Sequence, residues 1–89
     1  MLAERLLQRD LLDEAFQILN HCLKFDYRRP ELWSLLGDLY SRRADTNPDE
    51  AEYNLEKAAF SYSKSSKYAS LLNTESRSLL SMIPIHFIP

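Results

Sequence analysis

The chain of 89 residues has room for one small domain, which buries a smaller share of its surface than a larger one. Its 11 lysines and arginines against 13 aspartates and glutamates argue against a nucleic-acid partner, because nucleic-acid-binding domains usually carry a basic excess. The single cysteine excludes an internal disulfide, and the single glycine excludes a glycine-rich phosphate loop.

The composition indicates an all-α protein of a reducing compartment. Alanine, leucine, glutamate, lysine and arginine are frequent, which is typical of helical proteins. No apolar run approaches the roughly 18 residues of a membrane-spanning helix. Charged side chains at positions 4, 5, 9 and 10 interrupt the N-terminal apolar run, so we expect no signal peptide. We therefore predict an intracellular, cytoplasmic protein with no membrane span.

The first part of the chain predicts two amphipathic helices separated by a short interruption. The first spans residues 1–9, and the pattern breaks at residues 9–12. The second spans residues 12–25, with an apolar stripe at Ala15, Leu19 and Cys22.

Two prolines mark the starts of the next helices. Pro30 suits the first position of a helix predicted over residues 30–43. Asn47 followed by Pro48 is a second start signal, and it predicts a helix over residues 48–67. The apolar face predicted for that helix consists of Ala51, Leu55, Ala58, Tyr62 and Ser65 or Ser66.

The last part of the chain has a different pattern. Residues 70–74 predict a turn, after which Asn73 or Thr74 caps a short helix that ends before Pro84. The residues from Ile83 onward are apolar and favour an extended chain.

The third predicted helix carries the only tryptophan and the only glycine of the chain, in the order Trp33, Leu36, Gly37 and Tyr40. A glycine within a helix costs roughly 1 kcal/mol relative to alanine, so we expect another helix to pack closely against Gly37. The spacing W-x2-L-G-x2-Y resembles the first half of a tetratricopeptide repeat (TPR). The chain is on this basis similar to TPR proteins.

Two alanines extend the resemblance to the second half of the repeat. Ala15 precedes Trp33 by 18 residues, the distance that the 34-residue period of the family requires. Ala58 has similar surroundings but lies 43 residues after Ala15, which implies about nine extra residues in the second repeat. Ala51 is the alternative for this position, and Ala58 is preferred because Tyr62 then also fits.

The resemblance implies an architecture of antiparallel helix hairpins. Residues 1–70 are expected to form two TPR-like hairpins, stacked as a short right-handed solenoid. Residues 71–89 are expected to form a short helix and an apolar tail that serves as a capping or docking segment.

The resemblance also implies a protein-binding groove lined by the first helix of each hairpin. The residues expected there are Glu4, Gln8, Glu31, Ser34, Asp38 and Arg42. Acidic and neutral groups dominate, so a bound peptide is expected to be basic or mixed in charge. An ordinary solvated helix face explains the same residues equally well.

The apolar tail predicts a second contact surface. Its residues are Leu79, Leu80, Met82, Ile83, Ile85, Phe87 and Ile88. So many apolar groups are rarely left exposed on a lone domain. The tail therefore docks on a partner or a second copy, folds back over the second hairpin, or begins a further helix.

No pattern in the sequence supports catalysis, a cofactor or a metal site. His21 and Cys22 are adjacent and point in different directions on a helix. The sequence predicts a non-catalytic protein–protein interaction module, an adaptor or assembly subunit of a larger complex. A small chaperone that holds an extended client segment and an RNA-associated helical-repeat factor are the alternatives.

Overall fold

The structure is a computed structural model that describes the backbone of residues 1–81 and the side chains of residues 1–74. Its elements are α1 (Leu2–Gln8), α2 (Leu12–Phe25), α3 (Pro30–Thr46), a 3-10 turn (Pro48–Glu50) and α4 (Ala51–Ser81). The described part of the chain contains no strand, which confirms the all-α prediction. None of its helices is long and apolar enough to cross a membrane.

The turn between α1 and α2 is closed by backbone hydrogen bonds that satisfy the end of α1. The Leu11 N–H donates to the Leu6 carbonyl at 2.9 Å, and the Asp10 N–H donates to the Leu7 carbonyl at 3.0 Å. This paired arrangement requires a left-handed residue, and Asp10 supplies it with φ 63°. The interruption that the sequence predicts at residues 9–12 is therefore a tight helix cap.

Helices α2 and α3 run antiparallel, as the contacts along their lengths show. Near one end the Arg43 guanidinium lies 3.1 Å from the Asp13 carboxylate, and next to it the rings of Phe16 and Tyr40 meet edge to face at 6.1 Å. Pro30 begins α3, as predicted. The helix continues three residues beyond the predicted Arg43, and the Thr46 hydroxyl donates to carbonyls of its last turn.

Helices α3 and α4 also run antiparallel, and their contact is the most extensive one among the described helices. The Ser65 hydroxyl donates to the Pro30 carbonyl at 2.9 Å, whereas Tyr62 reaches Asp38 farther along α3. The start signal at Asn47 and Pro48 is confirmed in position, although the first turn is a 3-10 turn and α4 begins at Ala51.

One apolar core joins all four helices. Its buried members are Ala3, Leu7, Ala15, Leu19, Leu23, Leu32, Trp33, Leu36, Leu39 and Tyr68. The predicted stripe of α2 lies in this core, with Cys22 only half-buried beside it. The Trp33 indole N–H donates to the Tyr27 carbonyl at 2.7 Å, which ties the α2–α3 connection to the core.

The buried face of α4 differs from the predicted one. Asn54, Ala58 and Ser61 are buried on it, whereas Leu55 is 54% exposed and the prediction for that residue is wrong. Ala58 and Ser61 bring small side chains to this face, and the ring of Tyr62 fills the space left by the missing side chain of Gly37. Leu55 lies outside this contact. Ala58 lies on the buried face and Ala51 is only half-buried.

The turn predicted at residues 70–74 is wrong, because α4 continues through it to Ser81. Residues 69–81 contain neither proline nor glycine, so nothing in them terminates a helix. The Thr74 hydroxyl donates to the Ser70 carbonyl one turn earlier, so Thr74 lies within the helix rather than capping a new one. Residues 82–89 lie outside the described part.

Candidate functional site

The tryptophan–glycine motif forms a packing contact between α3 and α4. A Cβ atom placed on Gly37 would lie 2.6 Å from Cε1 of Tyr62, closer than carbon atoms approach one another. The Tyr62 hydroxyl donates to the Asp38 carboxylate, at 2.5 Å between oxygens. Burial raises the pKa of the Tyr62 phenol, and its bond to Asp38 raises that pKa further. The prediction of a close helix approach at Gly37 is confirmed.

An aromatic cluster lies where α4 passes the start of α3. The Tyr68 ring lies 5.6 Å from the Tyr27 ring and 6.4 Å from the Trp33 ring, and the Phe60 ring lies 6.3 Å from the Trp33 ring. A hydrogen bond with Tyr68 lowers the pKa of Tyr27. The cluster holds α4 in place at the point beyond which α3 no longer covers it.

The predicted groove residues are only partly brought together. Glu4, Glu31 and Ser34 line one depression, here called the α1–α3 depression, with Met1, Arg29 and Leu35 as its other walls. The Arg29 side chain lies 3.8 Å from the Glu31 carboxylate, which offsets part of the acidic charge.

Two other predicted groove residues are engaged within the chain. Asp38 accepts the hydrogen bond from Tyr62. The Arg42 guanidinium donates to the Leu7 carbonyl and lies 3.8 Å from the Asp10 carboxylate, so it joins α3 to the end of α1. Gln8 is exposed and does not line the α1–α3 depression.

The C-terminal part of α4 extends beyond its partner helix. At about 1.5 Å per residue, the 31 residues of α4 span about 46 Å and the 17 residues of α3 about 26 Å. Because Pro30 contacts Ser65 and Tyr27 contacts Tyr68, the residues after Tyr68 project past the start of α3. We call residues 69–81 the α4 extension.

The buried face of α4 continues onto this extension. Ser61, Ser65, Tyr68 and Leu72 follow one another at intervals of four, three and four residues, so they share one face. Ser61 and Tyr68 are buried, whereas Leu72 is 45% exposed. Leu79 and Leu80 of the predicted docking tail belong to the extension, and Met82, Ile83, Ile85, Phe87 and Ile88 lie outside the described residues.

A groove that the sequence does not predict lies at the end of the helices opposite the α4 extension. It lies between the α1–α2 turn, the end of α3 and the start of α4, and we call it the turn-end groove. Its walls are Asp10, Leu11, Leu12, Asp13, Glu14, Arg43, Thr46, Asn47, Glu50, Tyr53 and Asn54. The acidic residues within 10–14 and 49–56 could have indicated this groove, but the two segments are far apart in the sequence and only the fold brings them together.

Arg43 holds one side of the turn-end groove in place. Its guanidinium lies 3.1 Å from Asp13 and 4.8 Å from the centre of the Phe16 ring. This stacked, paired cation fixes the end of α3 against α2.

No family model, curated protein or solved structure matches this chain. Its function must therefore be inferred from the surfaces of the chain itself.

Proposed function

We propose that the chain is a non-catalytic protein-interaction subunit that packs against a helix of a partner protein through its α4 extension. In this proposal the helices stack as TPR-like hairpins, with α1 and α2 as the first pair and α3 and α4 as the second. The proposal rests on the observation that the buried face of α4 continues past the start of α3 and leaves Leu72 exposed.

The contacts between hairpins support a TPR-like arrangement. The first helices of the two pairs touch, because Arg42 of α3 donates to the Leu7 carbonyl of α1. The glycine of the W-x2-L-G-x2-Y pattern faces an aromatic ring on the second helix of its own pair. The first feature is expected of consecutive hairpins in a helical repeat, and the second of the packing within one hairpin.

The partner is proposed to be helical because a helix, α3, covers the same face of α4 before the extension begins. There, α3 packs lengthwise on Ala58, Ser61 and Tyr68. A helix placed end to end with α3 would continue that contact and cover Leu72. Because Leu72 is 45% exposed, covering it would contribute about half of the roughly 1.5–3 kcal/mol of a fully buried leucine, which can change affinity several-fold.

The ion pairs of Arg29, Arg42 and Arg43 support a protein partner rather than RNA. Arg29 lies 3.8 Å from carboxylates of Asp26 and Glu31. Arg42 and Arg43 lie 3.8 Å and 3.1 Å from carboxylates of the α1–α2 turn and α2. Binding to phosphates would have to displace these contacts.

Two matched substitutions test this proposal. Leu72→Asp places a charge on the continuing face, and Leu71→Asp places the same charge about 100° around the helix. In quantitative co-purification from cells of origin with the full chain as bait, we expect Leu72→Asp to reduce partner recovery at least tenfold. Leu71→Asp should have a smaller effect, and both variants should retain wild-type helicity by circular dichroism.

Sedimentation of the purified chain separates a partner protein from a second copy. We expect a monomer. A dimer that Leu72→Asp dissociates would show that a second copy occupies this face, and equal partner recovery with both variants would contradict the proposed surface.

A further inference from the structure

We propose that the turn-end groove is a second binding site, which takes a basic peptide segment in extended form. An arginine or lysine of that segment pairs with Glu14 and Glu50, while the Asn54 amide hydrogen-bonds the peptide backbone. This site is separate from the α4 extension and does not depend on the function proposed above.

Charge balance in the groove favours a cationic ligand. Its walls carry four carboxylates and a single guanidinium. Arg43 is paired with Asp13, and Asp10 lies 3.8 Å from Arg42. Within residues 1–74 no cation pairs with Glu14 or Glu50, although the Asn47 amide donates to Glu50 at 3.4 Å.

Asn54 is the independent observation that points to a ligand. The residue is only 3% exposed, and it forms part of the groove wall. Its side-chain amide makes no hydrogen bond to any group in the described part of the chain. Among the described residues, every side-chain N or O atom that is fully buried has a hydrogen-bond partner. The amide atoms of Asn54 have no partner, so they must form part of the small area of this residue that is exposed.

An amide in this position matches the chemistry of a peptide backbone. It donates and accepts, so it can pair with a carbonyl and an N–H of an extended segment. Because the amide atoms of Asn54 reach the surface at the groove, a ligand bound there can form hydrogen bonds with them. Binding of a peptide backbone therefore gives the amide of Asn54 a function in the groove wall.

The other walls favour a long basic side chain over a metal ion. Leu11, Leu12 and Tyr53 give the groove an apolar part, along which the aliphatic stem of lysine or arginine can lie. Within the described residues, no group of three His, Cys, Asp or Glu side chains is placed to hold a metal ion.

Fluorescence anisotropy with a labelled peptide of alternating arginine and alanine tests the site on the full chain. We expect saturable binding that weakens as salt is added, and no binding of the corresponding glutamate–alanine peptide. The double variant Glu14→Gln with Glu50→Gln should lower affinity about five- to tenfold, as expected for two solvent-accessible ion pairs. Leu72→Asp should leave peptide affinity unchanged.

The matched control removes the same charge elsewhere. Glu4→Gln with Glu31→Gln alters the α1–α3 depression by the same two charges and should change affinity less than about twofold. An equal loss in both double variants would show that the peptide responds only to net charge, and it would overturn the proposal.

The role of Asn54 has its own readouts. Asn54→Ala should lower affinity about fivefold, the effect of one net hydrogen bond. Because this residue is buried, the wild-type protein supplies a second measurement: the NMR signals of its side-chain amide should shift as peptide is added. Signals that stay unmoved at saturation, or an absence of peptide binding, would contradict the proposed site.

Discussion

Replacing Gly37 by alanine should destabilise the protein, although alanine is the better helix former. The propensity difference alone would stabilise α3 by about 1 kcal/mol. In the folded chain, however, the new methyl group would lie 2.6–2.8 Å from three ring atoms of Tyr62. Carbon atoms prefer a separation of about 3.5–4.0 Å, so either the ring or the helix must move.

The cost of that movement can be estimated from the contacts it breaks. Overpacking of a close contact typically costs about 1–3 kcal/mol. Displacing the ring also breaks the bond between the Tyr62 hydroxyl and the Asp38 carboxylate, which contributes about 1 kcal/mol at this solvent-accessible position. Set against the propensity gain of about 1 kcal/mol, these costs give an expected net destabilisation of about 1–3 kcal/mol.

Urea unfolding of Gly37→Ala, followed by the fluorescence of Trp33, measures this value directly. The same substitution in a Tyr62→Ala background is the control, because the ring is then absent and the propensity gain should appear as a stabilisation of up to about 1 kcal/mol. The coupling between the two positions should thus reach about 2–4 kcal/mol. If Gly37→Ala stabilises the wild-type chain, the close approach of α3 and α4 is refuted.

Three further predictions concern the α1–α2 turn, alkaline pH and the aromatic cluster. Asp10→Ala should destabilise the fold by about 1 kcal/mol because alanine is strained at positive φ, whereas Asp10→Gly should leave the urea midpoint nearly unchanged. The pKa of Tyr62 is raised, so the folded state holds the phenol proton more tightly than the unfolded state does. The stability that this adds should be intact below about pH 10 and should be lost as the pH rises through the folded pKa. In urea titrations across that range, Tyr62→Phe should show a shallower decline in the free energy of unfolding. Trp33→Phe removes the hydrogen bond to the Tyr27 carbonyl and part of the core, and should lower the melting temperature by roughly 8–15 °C in calorimetry.

The helix starts were predictable because their signals are local. Pro30 can begin a helix but cannot continue one, and Asn47 with Pro48 marks the next start whatever the rest of the chain does. Gly37 was equally informative, since a glycine within a helix has few explanations other than close packing. These features required only the residues within one or two turns.

The buried face of α4 was harder to predict because packing, not hydrophobicity, selects its residues. Close approach to α3 leaves room for Ala58 and Ser61, and the Ser61 hydroxyl is satisfied by the Lys57 carbonyl at 2.9 Å. The more apolar Leu55 is displaced to the outside. A pattern that ranks residues by hydrophobicity therefore assigns the wrong face.

The turn-end groove was not predictable from local sequence because three separate segments form it. Asp13, Arg43 and Asn54 come from three different helices, and only their packing brings them to one wall. The α1–α3 depression was partly predictable, because the TPR resemblance placed Glu4 and Glu31 on neighbouring first helices.

Site-specific photo-crosslinking tests the proposed interaction through the α4 extension most directly. A photoreactive phenylalanine analogue is placed at position 72, on the face that continues beyond α3, or at Ser66, which is exposed on another side of α4. In cells of origin, position 72 should give a discrete crosslinked product with one partner protein, and position 66 should not. Crosslinks of equal yield from both positions, or none from position 72, would contradict the claim that this face binds a partner helix.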